Sequence, residues 1–163
     1  MEKYIDLHVH SNCSDGTLTP QEVVRCAVKK GLTAIALTDH DTVKGIPAAI
    51  AEAEKLGLEL IPGIEFSTNY QGKDIHILGL DIDTENARFS GSLSRFLDSR
   101  DDRNRKMINL LSRQGIPISW DIMEQRFLGS VWTRAHFARY LLDEGYVNTI
   151  PEAFSRYIGD GAC

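Results

Sequence analysis

Long apolar runs are missing from this sequence: nothing approaches the roughly 20 consecutive apolar residues that a membrane-spanning helix needs. The opening Met1-Glu2-Lys3-Tyr4-Ile5-Asp6 also lacks the basic start and apolar core of a signal peptide. Cysteine is scarce. Cys13, Cys26 and Cys163 are odd in number and form no Cys-x-x-Cys, which argues against a disulfide framework and for a reducing cytoplasm. Basic charge does not dominate either, since 18 Lys and Arg against 23 Asp and Glu leave a net charge of −5. Such a chain has no global attraction to nucleic acid. Membrane, collagen-like and disordered classes are thereby set aside.

What remains is an ordinary globular composition, 163 residues with 42% hydrophobic and 25% charged. The length suits one domain, or one domain carrying an insert. Tyr4 to His10 alternates and reads as a first strand, and Ser11 to Gly16 is dense in loop formers. Thr19-Pro20-Gln21-Glu22 has the form of a capping box with proline in the first turn, and Gly31 marks the stop. Ala34 to Leu37 is a continuous apolar run, as in a strand buried on both faces. A helix is expected from Ile46 to Leu56, a third strand from Leu58 to Ile61, and a hairpin turn at Tyr70-Gln71-Gly72-Lys73. This βαβαβ order implies parallel strands joined by right-handed crossovers. Beyond a boundary near residues 83–87 the pattern turns helical. Phe89 to Gln114 reads as one long helix or two, Asp121 as the cap of a short one, and Thr133 as the cap of Arg134 to Glu144. Pro151 to Tyr157 reads as a last short helix.

Polar side chains gather after the strands. His8-Val9-His10 places two imidazoles on one side of a strand, because side chains alternate with period two. Two such nitrogens make half a site for Mn²⁺, Zn²⁺ or Fe²⁺. Asp15, His40 and Glu65 follow at loop and strand ends, and His76 lies on the returning hairpin strand. Singly, each reads as an ordinary hydrogen-bonded residue. As a set of six they read as metal ligands, because the alternative stacks costly polar groups at one rim without partners.

Three runs carry a resemblance: His8 to Gly16, Thr38-Asp39-His40-Asp41-Thr42, and Gly63-Ile64-Glu65. They resemble the opening motifs of the PHP (polymerase and histidinol phosphatase) superfamily. His76 to Leu80 and Thr133 to Leu141 resemble its nucleoside 3′,5′-bisphosphate phosphatase and 5′-3′ exoribonuclease branch. The resemblance implies an α/β fold, an incomplete PHP-type distorted (β/α) barrel over residues 1–84 with an α-helical cap insertion over 85–163. It also implies up to three divalent metal ions, Mn²⁺ foremost, with Zn²⁺ or Fe²⁺ as alternatives. His8 and His10 would bind one, Glu65 would bridge it to a second held by His76, and Asp15 and His40 would bind a third. The family's later ligands, in Ala-His-Pro and Asp-x-His motifs, have no counterpart in this sequence. The chain is therefore expected to be the N-terminal part of a longer protein or a truncated product.

The implied chemistry is hydrolysis of phosphate monoesters by a metal-held hydroxide, which is nucleophilic at neutral pH. Expected substrates are nucleoside 3′,5′-bisphosphates and 5′ ends of short RNA. A histidinol-phosphatase-like enzyme and a non-catalytic metal-binding module are the alternatives. Arg134 and His136 open a helix, with Arg139 one turn later, and the resemblance brings them to substrate phosphate. His136 is a candidate proton donor. Asp39 and Asp41 are candidates for orienting an imidazole, with Asp41 carried as catalytic, against a plain turn or capping role. The Arg-rich stretch from Arg95 to Arg113 reads as a solvated, ion-paired face. Cys13 reads as a small loop residue, and Trp120 and Trp132 as core of the cap. Exposed edges of an open barrel are expected to drive aggregation or homo-oligomerisation unless a partner covers them.

Overall fold

The structure is a computed structural model and describes residues 3–159; Cys163 lies outside the described residues. Four strands make one mixed sheet in the order β1-β2-β3-β4. They are β1 (Tyr4–Val9), β2 (Leu32–Leu37), β3 (Glu59–Tyr70) and β4 (Lys73–Leu80). The first three are parallel, and β4 returns antiparallel to β3. Helices α1 (Pro20–Lys29) and α2 (Ile46–Leu56) make the crossovers. The sheet curves into a half-barrel flanked by helices.

Local chemistry accounts for these elements. Thr19 and Glu22 form the reciprocal capping box of α1, with Glu22 accepting from the Thr19 backbone N–H at 2.8 Å. α2 ends at Gly57, which adopts φ +68. Val23, Val24, Ala27, Ile35, Leu37 and Ala49 pack between these helices and the sheet as one core.

β3 is longer than its sequence suggested. It does not stop at Ile61 but runs on to Tyr70, because it changes partner on the way. Ala34 to Leu37 of β2 pair with Glu59 to Pro62, and from Gly63 onward the strand pairs with β4 instead. At the handover a side chain on residue 63 would meet Thr38 Cγ2 at 2.7 Å and the Leu37 and Gly79 carbonyl oxygens at 3.1 Å. Only glycine fits there.

The second half is helical: α3 (Ala87–Arg113), α4 (Trp120–Arg126), α5 (Arg134–Asp143) and α6 (Ile150–Ala153), the last running into a widened turn over Phe154–Ile158. α3 is one unbroken helix capped by Asn86. The cap of α4 is Ser119, not Asp121; the hydroxyl accepts from Ile122 N at 3.2 Å, and Asp121 falls in the first turn, where its charge suits the helix dipole. α5 starts at Thr133 as its sequence indicated. Met107, Leu111, Met123, Phe137, Leu141 and Ile158 form a second core, with Trp132 buried in it and Trp120 packed against it. The long loop after β1 touches this half directly: Val131 N donates to Cys13 O at 2.8 Å, and Ser130 Oγ to Asn12 O at 2.6 Å.

The tight approach at Gly63 and the open surroundings of Gly91 predict opposite outcomes for one methyl group. Gly63→Ala should cost about 1–3 kcal/mol. Gly91→Ala, in the second turn of α3 with nothing within 4 Å of the added carbon, should stabilise by about 0.5–1 kcal/mol. Urea denaturation of both variants checks the signs.

Candidate metal centre

His8 on β1 and His10, one residue past its end, bring their ring centroids to 5.1 Å. Beyond the paired part of β2, the chain keeps alongside β3 by two backbone bonds, Asp41 N to Glu65 O at 3.0 Å and Glu65 N to Asp39 O at 3.2 Å. That extension of the parallel ladder sets His40 beside Glu65. On the hairpin, Ser67 lies opposite His76 and Glu65 opposite Leu78. Glu65 and His76 are therefore diagonal neighbours on one face, within reach of each other.

The donors converge accordingly. The buried Glu65 carboxylate lies 2.9 Å from His8 Nε2, 2.9 Å from His10 Nε2, 3.7 Å from His40 Nε2 and 2.7 Å from His76 Nδ1. Asp15 lies 3.0 Å from His10 Nδ1 and 3.4 Å from His40 Nε2. Three overlapping groups result: His8, His10 and Glu65; His10, Asp15 and His40; His40, Glu65 and His76. Within each, the ligand atoms lie within 4.8 Å of one another. Nitrogen and oxygen donors held on one ion at about 2.0–2.2 Å are separated by only roughly 3–3.5 Å, so the spacing and the donor types both fit a divalent transition metal.

The electrostatics are those of carboxylates and imidazoles that offset one another's burial. Burial works against charge on Asp15 and Glu65. The hydrogen bond from His10 and the charges of His40 and His10 nevertheless hold Asp15 well below the usual carboxylate range. The His8 hydrogen bond and the neighbouring imidazoles lower Glu65 likewise. Burial pulls His40 down to about 4, which keeps its ring neutral and its lone pair available at neutral pH. Burial lowers His10 too, but the Asp15 hydrogen bond and the charges of Asp15, Glu65 and Asp39 reverse the sign and raise it.

A matched family model, described as PHP domain, extends over residues 6–158. The chain belongs to the PHP family. A 5′-3′ exoribonuclease from Haemophilus influenzae is 42% identical over 99% of this PHP chain and 58% of its own length. A 3′,5′-nucleoside bisphosphate phosphatase from Chromobacterium violaceum is 36% identical, over 96% of this chain and 55% of its own. A solved structure from Bifidobacterium adolescentis, assigned as a metal-dependent phosphoesterase, superposes with a TM-score of 0.88 at 31% identity, covering 98% of this chain and 56% of that one. The chain thus spans little more than half the length of these relatives.

The remaining site candidates fall in different places. Arg134 pairs with Asp74 at 3.0 Å and lines a small cleft with Asp15, His40 and His76. His136 is buried; its Nδ1 accepts from Thr133 N at 2.9 Å, and burial lowers its pKa. Arg139 is exposed and opens with His136 and Arg126 onto a separate cleft of about 480 Å³ that reaches Asp15. Asp39 and Asp41 do not touch an imidazole. Asp39 accepts from Ser11 N at 2.7 Å, Ser11 Oγ at 2.6 Å and Ser14 Oγ at 2.7 Å, and so shapes the first loop. Asp41 accepts from Ser67 N at 2.9 Å and is ion-paired with Arg100. Its carboxylate thus joins Ser67 to Arg100 and meets His40 only by way of Ser67.

Arg100 corrects a second expectation. It is 5% exposed, not part of a solvated basic face. The signal was present: residues 93, 100, 104, 107 and 111 are the buried stripe of α3, and Arg100 and Asn104 occupy it among Leu93, Met107 and Leu111. Ser67, which meets both Arg100 and His40, carried no sequence signal.

Asp39→Ala should leave two hydroxyls and a backbone N–H unsatisfied and cost about 2–4 kcal/mol, with Asp39→Asn milder, as read by urea unfolding. A pH effect follows from the histidines. A group depressed on folding adds stability above its unfolded value, and that share disappears as pH falls toward its folded value. His40, with an ordinary value of 6.5 and a folded one of about 4, is such a group, and His136 has the same sign. His10, raised on folding, keeps its contribution throughout this acidic window. The urea midpoint of metal-free protein should therefore drop between about pH 6.5 and pH 4, and His40→Gln should flatten the drop. A midpoint that rises over that window contradicts this assignment.

Proposed function

We propose that this chain supplies the metal-binding half-barrel of a phosphoesterase that hydrolyses phosphate monoesters of nucleotides. Nucleoside 3′,5′-bisphosphates are the favoured substrate, with 5′ ends of short RNA as a second class. The observation that carries the reading is the convergence of His8, His10, Asp15, His40, Glu65 and His76 into three overlapping donor groups. The names of the exoribonuclease and bisphosphate phosphatase relatives support the substrate class.

His8, His10 and Glu65 would hold one ion, Glu65 and His76 a second, and Asp15 and His40 a third. Mn²⁺ is the first choice, with Zn²⁺ and Fe²⁺ compatible with the same donors. Bound divalent ions supply charge neutralisation for phosphate and activation of water at neutral pH. The chain's own residues do the rest. Glu65, buried among imidazoles, keeps a negative charge where cations must gather. Arg134, beside His76 and Asp15, offers a guanidinium whose planar fork matches phosphate oxygens. His136 stands behind Asp15 at the start of α5 and would move a proton or hold substrate there. Arg139 would contact the part of the substrate that extends into the neighbouring cleft. Residues 85–163 would form the cap over the metals, and residues 1–84 the barrel part. The proposed compartment is the cytoplasm, from the scarcity of cysteine. None of the described helices is long and apolar enough to cross a membrane. Self-association through the barrel edge is favoured by the exposed Ile5 on β1 and Ile75 and Ile77 on β4.

Elemental analysis of chelator-free protein, with phosphate release from adenosine 3′,5′-bisphosphate on the same sample, tests the reading. Bound divalent metal with turnover is expected. Glu65→Gln should lower turnover at least about 100-fold, beyond what loss of an outer hydrogen-bond partner costs. Metal without turnover would favour the non-catalytic metal-binding module. Protein that binds no divalent metal would overturn both.

A further inference from the structure

Arg100 enters from α3, the long helix of the second half, and ends between three other segments. Its Nε donates to Asp41 Oδ2 at 2.8 Å, and its Nη2 also pairs with that carboxylate. The same Nη2 donates to Ser67 Oγ at 2.6 Å, and Nη1 donates to the Trp132 carbonyl at 3.0 Å. Asp41 follows β2, Ser67 lies on β3, and Trp132 directly precedes the Thr133 cap of α5. Asn104, one turn along α3, reaches the same Trp132 carbonyl at 3.4 Å.

Ser67 is the link to the centre. Its Oγ lies 3.3 Å from His40 Nδ1, while His40 Nε2 faces Asp15 and Glu65. A histidine that offers Nε2 as a lone pair must carry its proton on Nδ1, and that proton needs an acceptor. Ser67 Oγ is the atom within reach.

We propose that Arg100 is a positioning residue of the metal centre, fixing His40 through Ser67 while tying the start of α5 to the same point through Trp132. The inference rests on the metal-centre reading above. The buried stripe of α3 is thereby part of the site's outer support, and the helical half fixes the geometry of donors that all belong to the sheet half. Arginine is required because one planar fork serves all three segments. A lysine keeps the charge beside Asp41 but cannot hold Ser67 and Trp132 together.

The test is Co²⁺ titration of the full chain, followed by its visible absorption and by calorimetry, with far-UV circular dichroism as a folding check. Arg100→Lys and Ser67→Ala are each expected to weaken Co²⁺ binding about 10–100-fold and to alter the absorption band. Their combination should lose less than the sum of the two, because both act on His40 by one route. Arg105→Lys, on an exposed position of the same helix, should leave the titration unchanged. Where Arg100→Lys melts, Ser67→Ala decides, since it deletes one partly exposed hydroxyl. The inference is overturned if wild-type protein binds Co²⁺ and the folded variants bind within about threefold of it, or if the double loss is fully additive. Wild-type protein that binds no Co²⁺ would instead overturn the metal-centre reading itself.

Discussion

One carboxylate, Glu65, has four imidazoles around it, and the organisation of the chain follows from the cost of that arrangement. Ionisable groups withdrawn from water lose hydration that only close, well-directed partners return. The structure returns it by mutual contact. Asp15 and Glu65 each face imidazole nitrogens. Glu65 itself is fixed from both sides, by the parallel bridge to His40 and by the antiparallel hairpin that carries His76.

The partner change in β3 makes this possible. A strand that stayed with β2 throughout would carry Glu65 without a hairpin neighbour, and one that belonged wholly to the hairpin would lose His40. Gly63 allows both by admitting the Thr38 methyl and two backbone carbonyls where a side chain would stand. Around it, Asp39 and Asp41 lie on either side of His40 and work in opposite directions along the chain. Asp39 gathers the first loop through Ser11 and Ser14, and Ser14 Oγ lies 3.4 Å from His10 Nδ1. Asp41 reaches forward to Ser67 and across to Arg100.

The helical half has its own core, yet it meets the sheet half at the loops that carry the candidate ligands. The first loop carries Asp15 and accepts backbone and hydroxyl donors from Ser130 and Val131. Thr133, the cap of α5, also lies 3.3 Å from the Asp15 carboxylate. Arg134 and His136 therefore stand close to the donors because a helix start is docked on the loop that supplies one of them. A helix N-terminus directed there adds a field favourable to anions such as phosphate.

Much of the local structure is legible along the chain. Alternation put His8 and His10 on one side of a strand, local capping chemistry marked α1 and α5, and the apolar run of β2 announced a buried parallel strand. These are short-range rules, in which side-chain period and hydrogen-bonding groups within a few residues decide the outcome. Residue type and strand-end position marked the six candidate ligands, and the resemblance to a known family added how they would divide among metals. Long-range partners fall where packing puts them. Tertiary structure extended β3 past Ile61, brought Asp41 onto Ser67 and Arg100, and buried Arg100 in a stripe that composition presents as a solvated charge run. The reason is physical: an arginine and an aspartate 59 residues apart neutralise each other only when the fold brings them together. No periodicity in either segment records the other's position.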